Sequence, residues 1–412
     1  SRQRAIASAA RSRFWARSFS LSSATPFDSF TAMRWSAIAL AVRSALSFSA
    51  CRCCLKASTS PLSLSNSFSY WRACGAFFPD SITGGRIELS PPAQRVAAAI
   101  GRADHIVFVM ADGFGMNLIE QLPPGSFFRS HVAMEMQAVF PSSTAPAITS
   151  IATGRWPATH AVPGWFTYLP DDDLIATILP FIERFSKRPL AELGITPEQP
   201  LPVPSWLPSF KHEPLCYMPA FITGSTYSNY FSAGEPQIPY EHLSAAVEAI
   251  CARIAASRAP TYTYLYVPFI DAAEHEYGPH ADAVTKTLLM VERAVASLAE
   301  QIEGRARVVV SADHGLTRVA KRDQHEIKDG DPLMRLLRLP PSGEPRVPSF
   351  YAREGRADRF AAAFRDRFGD THALLTIDEV EALRLLGPDA LSPETRRRLG
   401  DFMAISATPD AI

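Results

Sequence analysis

Ile106-Val107-Phe108-Val109-Met110-Ala111 is an unbroken apolar run that ends in Asp112-Gly113. Continuous apolar character, rather than alternation, predicts a strand covered on both faces, as in a parallel sheet. The run from Tyr264 to Pro268 leads in the same way to Asp271, and Val308 to Val310 leads through Ser311-Ala312 to Asp313-His314-Gly315. Between these two, Val284, Leu288, Val291, Val295, Leu298 and Ile302 recur at steps of four and three, with Asp282 as a candidate N-cap and Gly304 at the end. That spacing predicts an amphipathic helix. Strand, helix and strand joined by a right-handed crossover make a parallel sheet. Ligands of such sheets bind beyond the carboxyl ends of the strands, where all three acidic motifs fall. The expected fold class is α/β, a mostly parallel sheet flanked by helices.

Two further stretches shape the organisation. Residues 331–399 read as a small α/β insertion, with strands over Ser349–Arg353 and Ala373–Thr376 and helices over Ala357–Phe368 and Ile377–Leu386. The Pro-rich span 198–214 reads as a surface excursion over the site entrance. No internal repeat or heptad pattern is present.

Composition narrows the function classes. With 47% hydrophobic and 20% charged residues, the 412-residue chain has material for a sizeable core, which excludes wholesale disorder. No apolar run approaches the roughly 18 residues of a membrane span. Lys and Arg total 41, as do Asp and Glu, but residues 1–79 hold nine Arg and Lys56 against Asp28 alone, leaving 31 basic and 40 acidic residues elsewhere. A mildly acidic body argues against nucleic acid as a partner. Residues 1–85, Arg- and Ser-rich and without periodicity, read as a disordered, targeting or mistranslated segment. Cys51, Cys53 and Cys54 lie there without a second Cys/His pair at zinc-finger spacing, so they do not read as a metal site. Nothing demands an oxidising compartment, and a cytoplasmic location is expected.

The residues at the strand ends carry the chemistry. Asp112, Asp271, His275, Asp313 and His314 form a set of carboxylates and imidazoles. Asp271 and His275 are four apart, so one helical turn places both on one face. Mixed Asp/His ligation suits zinc or manganese better than calcium. A single Asp after a strand is more often a helix cap; three such sets at three strand ends point to metal. In Phe140-Pro141-Ser142-Ser143-Thr144-Ala145-Pro146, Pro146 fits the first turn of a helix ending near Gly154. Thr144 then stands where free amides and the helix dipole favour an anion. Thr144 or Ser143 can also be merely an N-cap; a hydroxyl at that place can do both, and it is a nucleophile only if a base or metal takes its proton.

With these motifs in view, residues 104–330 resemble the alkaline phosphatase superfamily, specifically the type I phosphodiesterase/nucleotide pyrophosphatase family. The matching text is Val109 to Gly113, Phe140 to Thr144 continuing to Ala152-Thr153-Gly154 and His160, Asp271 to His275 with Gly278-Pro279, and Ser311 to Gly315. The resemblance implies residues 86–330 as a phosphoesterase core and Thr144 as the nucleophile. It implies two divalent ions, zinc or manganese, one held by Asp112, Thr144, Asp313 and His314. The other would be held by Asp271, His275 and a third ligand from a late His-Gly motif. His160 matches a family position and reads as structural.

The departures also speak. No histidine after His314 is followed by Gly, while Gly400 to Ile405, within 400–412, resembles the strand that returns the family's chain to the core. The resemblance therefore implies a truncated chain, with one ion held firmly, the second weakly, and activity impaired. Ala147 stands where nucleotide pyrophosphatases typically carry Asn, and Thr144 with Ile148 does not match a sulfatase. The expected function is metal-dependent hydrolysis of a small phosphate ester, a diester first, through a phosphothreonine intermediate. Its rivals are a degenerate phosphate- or metal-binding protein and a phosphomutase or other phosphotransferase.

Overall fold

A computed structural model describes residues 91–412. The segment 1–85 and its cysteines lie outside the described residues. Twelve strands are present among the described residues: β1 (His105–Ala111), β2 (Phe166–Leu169), β3 (Leu174–Thr177), β4 (Ile182–Glu183), β5 (Glu213–Pro219), β6 (Gln237–Tyr240), β7 (Thr261–Val267), β8 (Ala306–Ser311), β9 (Ser342–Glu344), β10 (Val347–Phe350), β11 (His372–Thr376) and β12 (Phe402–Ser406). They form two sheets. The first is parallel throughout, in the order β6-β5-β7-β1-β8.

Its central strands are apolar because both faces are covered. Val107, Val109 and Ala111 point to one side with Leu265 and Val267, into a core shared with the helices Leu243–Ala256 and Asp282–Gln301. The latter helix buries Val284, Leu288, Val291, Val295 and Leu298, the positions its period marks. On the opposite face Phe108 stacks on Tyr264, and Phe231 from the helix Thr226–Ser232 packs on Tyr264 at 4.5 Å between ring centroids. Register then sets the site. Ala111 pairs with Val267 and Met110 with Ser311, so β1, β7 and β8 end at one level. The chain turns out of the sheet there at Asp112, at the helix Phe269–Tyr277 and at Ala312-Asp313.

The second sheet is antiparallel, in the order β11-β12-β10-β9-β2-β3-β4. Phe350, Phe360, Phe364, Phe368, Leu374 and Phe402 fill its core, with the helix Ala357–Phe368 laid across it. Two expectations change here. The Gly400–Ile405 stretch does not return to the parallel sheet. Its strand β12 sits between β10 and β11, pairing Met403 with both Ser349 and Leu375. The smaller sheet also draws β2–β4 from residues 166–183, joined to β9 through the pair Phe166 and Gly343, so it is not confined to 331–399. Among the described residues no helix is long and apolar enough to cross a membrane.

Candidate active site

The helix Thr144–Thr153 begins at Ser143 in extended conformation and ends on Gly154 in the left-handed region, φ 63°. All ten of its residues are buried. Its first backbone bond runs from the Ala147 N–H to the Ser143 carbonyl, which leaves the first-turn amides open to an anion. The two candidate hydroxyls at this end part company. Ser143 donates to Glu344 Oε1 of β9 at 2.5 Å, where the Trp165 N–H also donates. Thr144 Oγ1 instead lies 3.0 Å from His314 Nε2.

That ring nitrogen is a meeting point. Asp112 Oδ1 is 3.4 Å from it and Asp313 Oδ2 is 3.5 Å from it. One imidazole nitrogen cannot satisfy three oxygens by hydrogen bonding, whereas four donor atoms round one point suit a cation. The remaining oxygens are tied back to the scaffold. Tyr266 of β7 donates its hydroxyl to Asp112 Oδ2, and Asp313 Oδ1 accepts from the backbone N–H of Gly113 at 3.2 Å and of His314 at 2.9 Å. The facing oxygens, Asp112 Oδ1 and Asp313 Oδ2, have no hydrogen-bond partner, and neither has Asp271 Oδ1. Ligating atoms of Asp112, Asp271 and His314 lie within 4.8 Å of one another. Buried, unpartnered carboxylate oxygens converging on an imidazole fit a divalent cation.

Asp271 stands in the first turn of the helix Phe269–Tyr277, its Oδ1 3.5 Å from His275 Nε2. His275 is the outlier of the predicted set: its side chain is 71% exposed and touches the cluster through Asp271. His160 lies apart, fully buried between Ser150 and Val162. The other late histidines are engaged elsewhere or exposed. His325 Nε2 meets Asp410 Oδ1 at 2.6 Å, His372 Nδ1 meets Thr371 at 2.8 Å, and His280 is exposed. Nor does the Pro-rich span cover the entrance. Trp206 donates through its backbone and indole N–H groups to the carbonyls of Ala152 and Ile151, both at 2.9 Å, at the far end of the helix from Thr144.

The electrostatics follow from crowding. Burial pushes the Asp112 carboxyl well above the usual range, and the charges of Asp313 and Asp271 add to it. Burial likewise raises Asp313. Glu274 was not marked by its sequence context, yet it is pushed up to about 8 by burial, with Asp271 and Asp112 contributing. A set of acids that raise one another's pKa around one imidazole has the chemistry to hold a cation.

The model of the type I phosphodiesterase / nucleotide pyrophosphatase family matches residues 106–178 and 194–408. The chain belongs to that family. Among solved structures, murine ectonucleotide pyrophosphatase / phosphodiesterase 5, in an inactive form in complex with AMP, is similar at 16% identity and TM-score 0.53, covering 74% of this chain and 79% of that one. Phosphonoacetate hydrolase from Sinorhizobium meliloti 1021, in complex with phosphonoacetate, is similar at 17% identity and TM-score 0.51, covering 74% and 81%. At such identities the likeness is one of fold. A comparison with curated proteins returns no significant match. Family membership makes this a phosphoric ester hydrolase scaffold of the alkaline phosphatase superfamily, with the parallel sheet and flanking helices expected of it.

Proposed function

We propose that the protein hydrolyses small phosphate esters, diesters first among them, with Thr144 as nucleophile and a phosphothreonine intermediate. The observation that carries this reading is the convergence of Thr144 Oγ1, Asp112 Oδ1 and Asp313 Oδ2 on His314 Nε2, at 3.0, 3.4 and 3.5 Å. Ser143, bonded to Glu344, is spent on holding the loop. Asp112, Thr144, Asp313 and His314 would hold one divalent ion, zinc or manganese, with Asp271 and His275 at a second. Such ions, when bound, lower the pKa of a hydroxyl or water and neutralise phosphoryl oxygens.

The chain's own groups do the rest. Thr144 Oγ1, having lost its proton, attacks phosphorus as the bond to the leaving oxygen breaks and that oxygen takes up a proton. The open amides at the start of the helix Thr144–Thr153 receive the charge that spreads over the phosphoryl oxygens. Water then attacks the phosphothreonine, the Oγ1–P bond breaks, and Thr144 regains a proton. The murine relative binds AMP and the bacterial one phosphonoacetate, which supports a small ligand with a phosphorus-centred anion.

The test is a substrate panel on the full chain with manganese or zinc supplied, comparing bis(p-nitrophenyl) phosphate with p-nitrophenyl phosphate. Acid quench of a labelled diester should leave the label on Thr144, and Thr144→Ala should abolish it. Failure to cleave either ester, or a label that persists in the variant, would overturn the reading.

A further inference from the structure

The helix Phe269–Tyr277 carries Asp271, Glu274 and His275 at positions i, i+3 and i+4, on one face. Asp271 and His275 already stand in the second cation set proposed above. Glu274 is 2% exposed, and neither of its carboxylate oxygens has a hydrogen-bond partner. Side chains of this kind are kept inside a protein when paired or ligated, because a lone buried carboxylate is costly.

Its direction is specific. A Cβ built on Gly113 would stand 3.0 Å from Glu274 Oε2 and 2.9 Å from the Asp271 Cα, so the carboxylate abuts the backbone next to Asp112, at the Asp271 side of the cluster. With Asp112, Asp271 and Asp313 this makes four acids, and among the described residues no lysine or arginine forms an ion pair with any of them. Tyr266 and backbone amides serve Asp112 and Asp313; nothing comparable serves Glu274. Two divalent cations would supply the four positive charges the set lacks.

We infer that Glu274 is a ligand of the second cation, beside Asp271 and His275, an inference that rests on the metal-dependent reading above. The donor set is then two carboxylates and one imidazole, harder than a set with a second histidine. Carboxylate ligands suit manganese and magnesium, and imidazole suits zinc, so this site discriminates less strongly for zinc over manganese than a two-histidine site would.

The experiment is manganese binding to the full chain, read as bound and free ion by electron paramagnetic resonance, with zinc competition. Wild type should bind two manganese ions. Glu274→Gln should keep the first and weaken the second by about tenfold or more. Glu274→His should keep two equivalents and shift the second site toward zinc. In chelator, Glu274→Gln should melt no lower than wild type, since no hydrogen bond is lost. Unchanged binding of two ions by Glu274→Gln overturns the Glu274 assignment alone. Melting of that variant well below wild type in chelator also overturns it, by showing a structural role. A wild-type chain that binds no manganese or zinc overturns the metal-dependent reading with it.

Discussion

Gly113 and Asp271 touch backbone to backbone: a Cβ on the glycine would stand 2.9 Å from both the Cα and the Cβ of the aspartate. The Gly113 φ is +73°, in the left-handed region. The Asp271 N–H donates to the Asp112 carbonyl at 3.2 Å. The end of β1 thus seats the helix Phe269–Tyr277, and with it the spacing between the two proposed cation positions. Gly113→Ala should introduce about 1–2 kcal/mol of backbone strain and displace Asp271 as well. Tm should fall by about 1–1.5 °C per kcal/mol lost, and manganese stoichiometry should drop with it. An alanine variant with unchanged Tm and full metal content would show that this contact does not position the site.

Neighbouring hydroxyls should separate cleanly. Ser143→Ala removes a donor to the half-buried Glu344, which keeps the Trp165 N–H, and should cost about 1–2 kcal/mol of stability. Thr144→Ala should leave the urea midpoint near wild type and lower kcat by roughly 10³-fold or more. Parallel urea melts and turnover assays on the two variants check this. If Ser143→Ala proves the more damaging to kcat, the nucleophile is misassigned.

How much of this was legible in the sequence follows from how local each signal is. Asp112, Asp271 and Asp313 declare themselves because buried parallel strands are unbroken apolar runs, and an acid at the end of such a run is conspicuous. What engages Ser143 is not local: it is Glu344, 201 residues away. The second sheet is equally nonlocal. Its strands span two to five residues; β10, β11 and β12 are marked by short runs in the sequence, but nothing local shows that β2–β4 join them, and β2 and β9 meet through one residue pair. The Pro-rich span reads as an entrance loop because prolines suggest surface, yet Trp206 fixes it to Ile151 and Ala152. Glu274 is hidden by its ordinary helical context. The available signal was its i+3 spacing from Asp271, beside the apolar Ala272 and Ala273.

Arg398 ties the helix Pro393–Leu399 to the loop that follows His160. Its side chain is 1% exposed. It donates to the carbonyls of Ala161 at 2.5 Å, Pro200 at 2.8 Å and Gln199 at 2.6 Å, and pairs with Glu394 at 2.8 Å. Truncation strands two buried carbonyls, one half-buried carbonyl and one carboxylate together. Arg398→Ala should cost about 3–5 kcal/mol. Lysine cannot reproduce the planar fork, so Arg398→Lys should recover less than half of that, measured as a shift in urea midpoint. Equal stability of wild type and Arg398→Ala would mean that Glu394 and the carbonyls find other partners.

The last prediction concerns acid stability and turns on His160. The Val162 N–H donates to its Nδ1 at 3.1 Å, and its Nε2 lies 3.0 Å from Ser150 Oγ, whose own hydroxyl donates to the Pro146 carbonyl at 2.9 Å. Because Ser150 has committed its proton to Pro146, the hydrogen between the two side chains sits on His160 Nε2. The ring is therefore neutral, with Nδ1 as acceptor, and a second proton would have to enter opposite the Val162 N–H. Burial, the largest cause, holds its pKa down to about 3, and Arg398 adds to it. In the unfolded chain the same ring titrates near 6.5. Between these values the unfolded state binds more protons, so the stabilisation is complete above about 6.5 and is lost progressively as pH falls toward 3. One such group removes about 2 kcal/mol between pH 6.5 and pH 5. His372, held down to about 4 mainly by burial, acts in the same direction in the second sheet. His160→Gln can keep the Ser150 contact without titrating. It should start less stable at pH 7.5 but lose less on acidification, with urea midpoints at pH 7.5 and pH 5 closer together than in wild type. Identical pH slopes for the two proteins would show that His160 does not couple protons to folding.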